Sequence, residues 1–376
     1  MYKKFVMGIA AMAALTLVSC SSDDLDSFSD NSSKNEAISF DGYLGRSAVA
    51  VNGTRGSVVD LNALKISSES DKKGFGVFGY YNSSVTDHSS APEQSFDANL
   101  FNNEQVTCPK DGADWSYTPL KYWPAQGHID FLAYAPYGAG TALKKTTETE
   151  SNTSCIDFTV SETIANQIDL LWANAENMTK DKLSSTEKNK VTFKFAHALS
   201  RLGYTVKLNK AVSESEATIT LKRITLAGSD DEKKGAFYKT GTIDLSKAPS
   251  SDGLWTNQSS DKQNFNLSSN KTLNNAVKDA EIKNSDNEYL FVIPQKFKTG
   301  SDQLYVIVEY TIEYKTGSAK PTVSYKVSKQ LSYDFEQGKA YTINLTIGLT
   351  PIEFDADVTD WVTAENPIND IPVTWN

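Results

Sequence analysis

The sequence predicts an all-β protein built from sandwich domains. Its 376 residues include 17 Tyr and 17 Phe, and short runs of Val, Ile, Thr and Tyr alternate with Gly, Asn, Asp and Ser. β-Branched and aromatic residues favour strands, whereas the residues between the runs favour turns. Amphipathic helical patterns are scarce, and residues 162–178 form the one candidate for a short helix.

Period-2 alternation of apolar residues is the second observation that predicts strands. Residues 303–314 (QLYVIVEYTIEY) form a long strand candidate. Strands of this kind bury one face and leave the other in water, as in a β-sandwich. The clearest alternating sets are Val191, Phe193 and Phe195; Leu202, Tyr204, Val206 and Leu208; Val323, Tyr325 and Val327; and Tyr341, Ile343, Leu345 and Ile347.

A polar, charged stretch at residues 179–190 indicates a boundary between two domains of ordinary size. We therefore predict an N-terminal β-sandwich domain over residues 37–190 and a C-terminal one over residues 191–376. A second polar stretch, residues 246–287, is interpreted as a loop excursion within the C-terminal domain.

The N-terminus has the pattern of a bacterial lipoprotein signal. Residues 1–19 combine Lys3 and Lys4 with a short apolar run, and the segment Leu-Val-Ser-Cys ends at Cys20. The pattern predicts cleavage before Cys20 and attachment of a diacylglycerol to its sulfur, with palmitate among the lipids expected on the protein. Residues 20–36 are acidic and polar, which predicts a disordered tether. The expected location is the outer membrane and the cell surface, with membrane lipid as a partner through Cys20.

Charge and motifs exclude several classes of function. The net charge is −10 and no basic cluster is present, which argues against a nucleic-acid partner. Zinc-protease, CxxC and GxSxG patterns are missing from the sequence, so we predict no enzyme activity, no catalytic residue, no metal site and no cofactor. The run from Gly74 to Gly79 matches GxGxxG, but aromatic β-formers follow it, which favours a glycine-containing strand. Cys108 and Cys155 could form a disulfide in an oxidising compartment, and the sequence leaves this open.

An aromatic cluster in the segment WSYTPLKYWP has two interpretations. Exposed rings could stack on sugars, as in a glycan-binding module. Alternatively, the rings belong to a core strand that ends in a turn at Pro124. The members of the cluster are Trp115, Tyr117, Tyr122 and Trp123.

The sequence holds only four arginines among 37 basic residues. Arg46 and Arg55 lie just after the first strand candidate, residues 37–43, whereas Arg201 and Arg223 lie in strand-rich core. An arginine-specific protease acting on the folded chain would therefore find two accessible targets, both near the N-terminus.

Several segments together resemble the fimbrillin family of Bacteroides-type bacteria, which includes the Mfa-like fimbrillins of type V pili. The most specific stretches are PLKYWP, FLAYAPY and FKFAHALSRL. The resemblance implies two transthyretin-like Greek-key β-sandwich domains in tandem. It also implies a structural subunit of a surface pilus, serving adhesion or biofilm formation, whose partners are other copies or related fimbrillin subunits.

The resemblance further implies assembly by donor-strand exchange after a trypsin-like, arginine-specific protease removes the first strand. In this sequence the removable segment would be residues 37–55, with Ile38 and Phe40 on its groove-filling face and Arg55, or alternatively Arg46, as the cleavage site. The expected donor strand comes from the C-terminal tail, residues 352–376. The alternative function is a monomeric surface lipoprotein that binds glycans through exposed aromatics. The predicted donor residues are Ile371, Val373 and Trp375.

Overall fold

The prediction of an all-β protein is confirmed by the computed structural model of the chain. Among the residues that the structure describes, the regular elements are strands, apart from two single-turn 3-10 helices, Ile164–Asn166 and Lys180–Lys182. The structure describes residues 36–44, 74–83, 96, 98–109, 113–139, 153–183, 190–209, 213, 215–248, 254–256, 258–273, 281–283, 289–298, 300, 302–348, 353–360 and 370–371.

The strands are named in chain order. They are β1 (Phe40–Leu44), β2 (Phe75–Asn82), β3 (Phe101–Val106), β4 (His128–Ala135), β5 (Cys155–Thr159), β6 (Leu171–Met178), β7 (Val191–His197), β8 (Ser200–Leu208), β9 (Ala217–Ala227), β10 (Phe237–Tyr238), β11 (Thr240–Asp244), β12 (Trp255–Thr256), β13 (Lys262–Gln263), β14 (Phe265–Leu273), β15 (Glu281–Lys283), β16 (Leu290–Val292), β17 (Gln295–Lys296), β18 (Leu304–Tyr314), β19 (Thr322–Leu331), β20 (Asp334–Phe335), β21 (Lys339–Ile347), β22 (Glu353–Asp360) and β23 (Asp370–Ile371).

Six of these strands form the first sheet, in the order β1-β7-β6-β4-β2-β3. All its neighbours are antiparallel except β1 and β7, which run parallel. Strands β6 and β4 are central. Strand β4 is buried at every position, because both faces of the sheet are covered there. A strand of that kind reads as a continuous apolar run rather than an alternating one.

Two further large sheets contain most of the remaining strands. The second sheet has the order β14-β9-β18-β19 and is antiparallel throughout. The third has the order β15-β8-β21-β22-β23, with β16 also pairing to β8 and a parallel pair at β21 and β8. Smaller groups are β12-β11-β5, β10-β13 and β17-β20.

Buried side chains form two clusters on opposite faces of the first sheet. Phe75 and Val77 on β2 point into the first cluster, whereas Phe78 belongs to the second. The second cluster also takes in the inner faces of the second and third sheets. The alternating sets predicted on β7, β8 and β21 are confirmed, because all their apolar members are buried. Those on β19 are half-buried, since β19 is an edge strand.

Two expectations from the sequence are wrong. Residues 162–178 do not form a helix. They contain the 3-10 turn Ile164–Asn166 and then strand β6, whose first residues are fully buried against the core. Residues 246–287 are more than a loop excursion, because β12 to β15 lie there. In both regions tertiary pairing outweighs a local pattern that is weak or polar.

Strand pairing crosses the boundary predicted at residue 190. Strand β7 lies beyond that boundary, yet it pairs with β1 and β6 in the first sheet. Strand β5 lies before the boundary and pairs with β11 beyond it. The polar residues 179–190 therefore connect two neighbours of one sheet. Division into two transthyretin-like domains stays a prediction.

Candidate functional site

The candidate site is the groove that holds residues 36–44, here called the first-strand segment. Its strand, β1, lies at one edge of the first sheet. The preceding residues, 36–39, cross to a second wall formed by residues 117–123. The segment therefore closes the gap between these two parts of the structure, and each part contributes backbone hydrogen bonds.

On one wall the segment runs antiparallel to residues 121–123. Ala37 forms a bridge with Tyr122. The Ile38 amide donates to the carbonyl of Lys121 at 2.8 Å, and the Trp123 amide donates to the carbonyl of Glu36 at 3.0 Å. In this antiparallel bridge the hydrogen bonds are made by the residues on either side of Ala37. The Ala37 amide therefore does not hydrogen-bond to this wall.

On the other wall the segment runs parallel to β7. Five residue pairs are formed, from Phe40 opposite Val191 to Leu44 opposite Phe195. The Val191 amide also donates to the carbonyl of Ser39 at 2.8 Å. By comparison, β7 pairs with β6 at only two positions, both near its C-terminal end. Most of the β7 ladder therefore depends on the first-strand segment.

Ile38 and Phe40 point between the walls into the first buried cluster. Each side chain is 1% exposed. The Phe40 ring is surrounded by four aromatic rings whose centroids lie 5.3–5.6 Å away, in edge, tilted and stacked arrangements. Aromatic pairs at such separations add to the free energy of simple burial. The four rings are those of Phe101, Tyr117, Phe131 and Phe193.

Tyr117 also holds the backbone of the segment. Its hydroxyl donates to the buried carbonyl of Ile38 at 2.8 Å and accepts a hydrogen bond from the Lys121 amide at 3.3 Å. Burial raises the pKa of Tyr117 above its ordinary value, so the hydroxyl stays protonated at neutral pH and remains a donor. The sequence placed Tyr117 only in an aromatic cluster, since nothing local indicates its partner 79 residues away.

Replacing Tyr117 by phenylalanine should destabilise the chain by about 1–3 kcal/mol, because it leaves the buried Ile38 carbonyl without its hydroxyl donor. Urea unfolding measures the change. Tyr122→Phe serves as the matched control on the same wall, since its side chain is 48% exposed, and we expect a change within about 0.5 kcal/mol. Equal losses in the two variants would contradict the role given to the Tyr117 hydroxyl.

Gly42 marks the place where the groove becomes narrow. A Cβ atom at this position would lie 3.0 Å from Cε2 of Phe195, closer than an ordinary van der Waals contact. The groove thus has two deep positions, filled by Ile38 and Phe40, followed by one that is tight for a side chain.

The glycan-binding interpretation of the aromatic cluster is contradicted for its two tryptophans. Trp115 and Trp123 are 8% and 6% exposed and belong to the first buried cluster. Buried indoles cannot stack on a sugar, so the core interpretation is correct for them. Tyr122 is the exposed member, and its backbone pairs with Ala37.

Only some of the other predicted site residues lie in the part of the chain that the structure describes. Cys20, Arg46 and Arg55 lie outside the described residues, as do the donor candidates Val373 and Trp375. Ile371 lies in β23, where it pairs with Ala356 of β22 at the edge of the third sheet. Cys108 and Cys155, both described, are not joined by a disulfide.

The described residues contain no group of three or more His, Cys, Asp and Glu side chains that could hold a metal ion. His197 lies at the end of β7, and its Nδ1 is 3.0 Å from the Asp169 carboxylate in a buried pair. This pair ties β7 to the residues before β6.

In the part of the chain that the structure describes, helices with the length and apolarity of a membrane span are absent.

Fold and groove together define an all-β protein whose own edge segment completes its aromatic core. The chain belongs to the fimbrillin-like family, whose model matches residues 67–361. The resemblance stated from the sequence is thereby confirmed. The matched range begins after the first-strand segment, so the assignment of Ile38 and Phe40 to the groove comes from the sequence pattern and the structure, not from the family match.

Solved structures that match the chain include proteins of Bacteroides and Porphyromonas species. A fimbrial protein from Bacteroides vulgatus is 23% identical, with a TM-score of 0.62 over 87% of this chain and 100% of that chain. A putative cell adhesion protein from Bacteroides uniformis is 16% identical, with a TM-score of 0.43 over 89% of this chain and 100% of the other. The fimbrial anchor protein Mfa2 from Porphyromonas gingivalis is 9% identical, with a TM-score of 0.33 over 87% and 98%. Comparison with curated proteins gives no match.

Proposed function

We propose that this chain is a non-enzymatic structural subunit of a surface pilus, assembled by protease-triggered donor-strand exchange. An arginine-specific protease would cut at Arg55, or at Arg46, and so release the first-strand segment. The C-terminal tail of another copy, or of a related fimbrillin subunit, would then fill the vacated groove. The pilus would serve adhesion or biofilm formation.

The observation that carries this function is the position of the segment. It is a sheet edge that also buries two apolar side chains, Ile38 and Phe40. Their burial is worth about 1.5–3 kcal/mol for each side chain. Removal would uncover the aromatic rings around Phe40 and the ladder groups of β7, and an exposed edge of this kind favours addition of a strand.

The position of the arginines fits selective cutting. Arg201 lies in β8, which is paired on both sides, and its guanidinium lies 4.3 Å from the centre of the Tyr289 ring. Arg223 lies in β9, also paired on both sides, and hydrogen-bonds to Glu232 and Glu309. A protease needs an extended, accessible backbone, which central strands do not offer.

Export as a lipoprotein belongs to the same proposal. Lipid on Cys20 would carry the subunit to the outer membrane and the cell surface. Cleavage after Arg55 would then discard the lipid together with the first strand. In a subunit that is never cut, the same lipid would remain as an anchor.

Treating the recombinant chain with an arginine-specific endoprotease tests the function. We expect a new N-terminus at Gly56 or Ser47, intact Arg201 and Arg223, and a ladder of SDS-resistant oligomers on unheated gels. Arg55→Gln and Arg46→Gln, separately and together, identify the productive site and should abolish the ladder when the productive site is lost. Trimmed protein that stays monomeric, unaffected by deletion of residues 368–376, would refute exchange.

A further inference from the structure

We infer that residues 371–376 of a second copy replace residues 36–41 in the groove in one fixed register, with Trp375 at the Phe40 position and Val373 at the Ile38 position. This inference rests on the strand exchange proposed above and specifies which tail residue meets which part of the groove.

The two hexapeptides match position by position. Residues 36–41 read EAISFD and residues 371–376 read IPVTWN. Aligned in this way, Ile meets Val, Ser meets Thr, Phe meets Trp and Asp meets Asn. The first pair, Glu36 and Ile371, falls at a position where the native side chain is exposed and its ion pair with Lys180 is open to solvent. An exposed ion pair contributes little, so its loss is tolerated.

The backbone bonds of the groove agree with this register. Pro372 takes the place of Ala37, the residue flanked by, but not part of, the two bonds to residues 121–123. Proline has no amide hydrogen, so a shift by one residue that placed it at the Ile38 position would lose the bond to the Lys121 carbonyl. In the inferred register Val373 supplies that amide, and Thr374 supplies the carbonyl that accepts from Val191.

The shape of the groove disfavours registers shifted by two residues in either direction. Sliding the tail forward by two residues would put Trp375 at the Gly42 position, where even a Cβ atom is crowded by Phe195. Sliding it back by two would put Trp375 at the Ile38 position, where an indole in place of a buried isoleucine overpacks the site. One alignment fills both deep positions and spares the narrow one.

The occupant is taken from a second copy rather than from the same chain. The tail of the same chain is rooted elsewhere, at the edge of the third sheet, where Ile371 pairs with Ala356. The indole of Trp375 is larger than the Phe40 ring, and Val373 is one methylene smaller than Ile38, so the surrounding rings must shift to accept the pair. Trp375→Phe is therefore expected to assemble at least as readily as the parent chain, and Trp375→Ala to lose assembly.

Cysteine cross-linking between two different chains tests the register. In parallel pairing Asp41 lies opposite Thr192, and Tyr43 lies opposite Lys194. Two variants are made in a Cys20→Ser, Cys108→Ser, Cys155→Ser background, one with Thr192→Cys and one with Asn376→Cys. They are trimmed, mixed and oxidised. The matched control carries Lys194→Cys in place of Thr192→Cys.

We expect a heat-stable, reducible dimer with Thr192→Cys and much less with Lys194→Cys, since two residues along a strand are about 6.6 Å and disulfides require Cα atoms within about 7 Å. Ladders with a cross-link favouring Lys194→Cys, or with none at either position, overturn the register while the exchange stands. Absence of ladders in the trimmed background chain overturns the exchange itself.

Discussion

Replacing Phe40 by alanine is expected to lower the free energy of unfolding of the uncut chain by about 3–5 kcal/mol. The ring is 1% exposed and lies at the centre of four other aromatic rings. Its loss leaves a cavity that those rings cannot fill without leaving their own contacts. Urea unfolding followed by circular dichroism measures the change.

Tyr43→Ala is the matched control, because it removes an aromatic ring from the same strand three residues further on. The Tyr43 side chain is 44% exposed, so its loss should change the stability by about 0.5 kcal/mol or less. A large loss for Tyr43 or a negligible one for Phe40 would mean that the segment is not held by its buried face. Strand exchange would then have no groove to act upon.

The alternating strands could be predicted from the sequence, because one buried face leaves a period of two. On β7 the alternation of Val191, Phe193 and Phe195 with polar residues gave both the strand and its inner face. Strand β4 lacks such alternation, since it is covered on both faces. Strand β6 falls in a stretch whose local pattern suggests a helix, and the short strands β12 to β15 lie among polar residues, so the pairing that forms these strands leaves no clear pattern in the local sequence.

The candidate site likewise has some features that the local sequence predicts and others that depend on contacts between distant segments. Alternation within one short segment predicts Ile38 and Phe40, and both are buried. The sequence does not predict the role of Tyr117, the narrow position at Gly42 or the two hydrogen-bonded walls, because each depends on contacts between segments 79 or more residues apart. Trp115 and Trp123 show a further limit of the sequence. The residues of an aromatic cluster do not by themselves indicate whether the rings are buried in the core or exposed to water.

The GxGxxG run at the start of β2 is explained by close packing and not by nucleotide binding. A Cβ atom at Gly79 would lie 2.7 Å from the Phe101 ring, and one at Gly76 would overlap the Tyr134 ring. Gly74 precedes the strand with φ +53°, and a Cβ there would overlap the backbone carbonyl of Val106. Its own carbonyl accepts a hydrogen bond from the Tyr137 amide at 3.0 Å. All three glycines let other groups approach the strand closely.

Gly74→Ala is accordingly expected to destabilise the chain by about 3 kcal/mol or more, combining a left-handed backbone with a clash that only backbone movement relieves. Gly138→Ala separates the two causes. Gly138 also has a positive φ, +89°, but a Cβ there would meet nothing within 4 Å, so only the backbone cost of about 1–2 kcal/mol applies. Urea unfolding of both variants gives the difference. Similar losses would show that β3 moves at Val106 to relieve the clash, in which case the strand that carries Phe101 beside the first-strand groove is less rigid than its packing indicates.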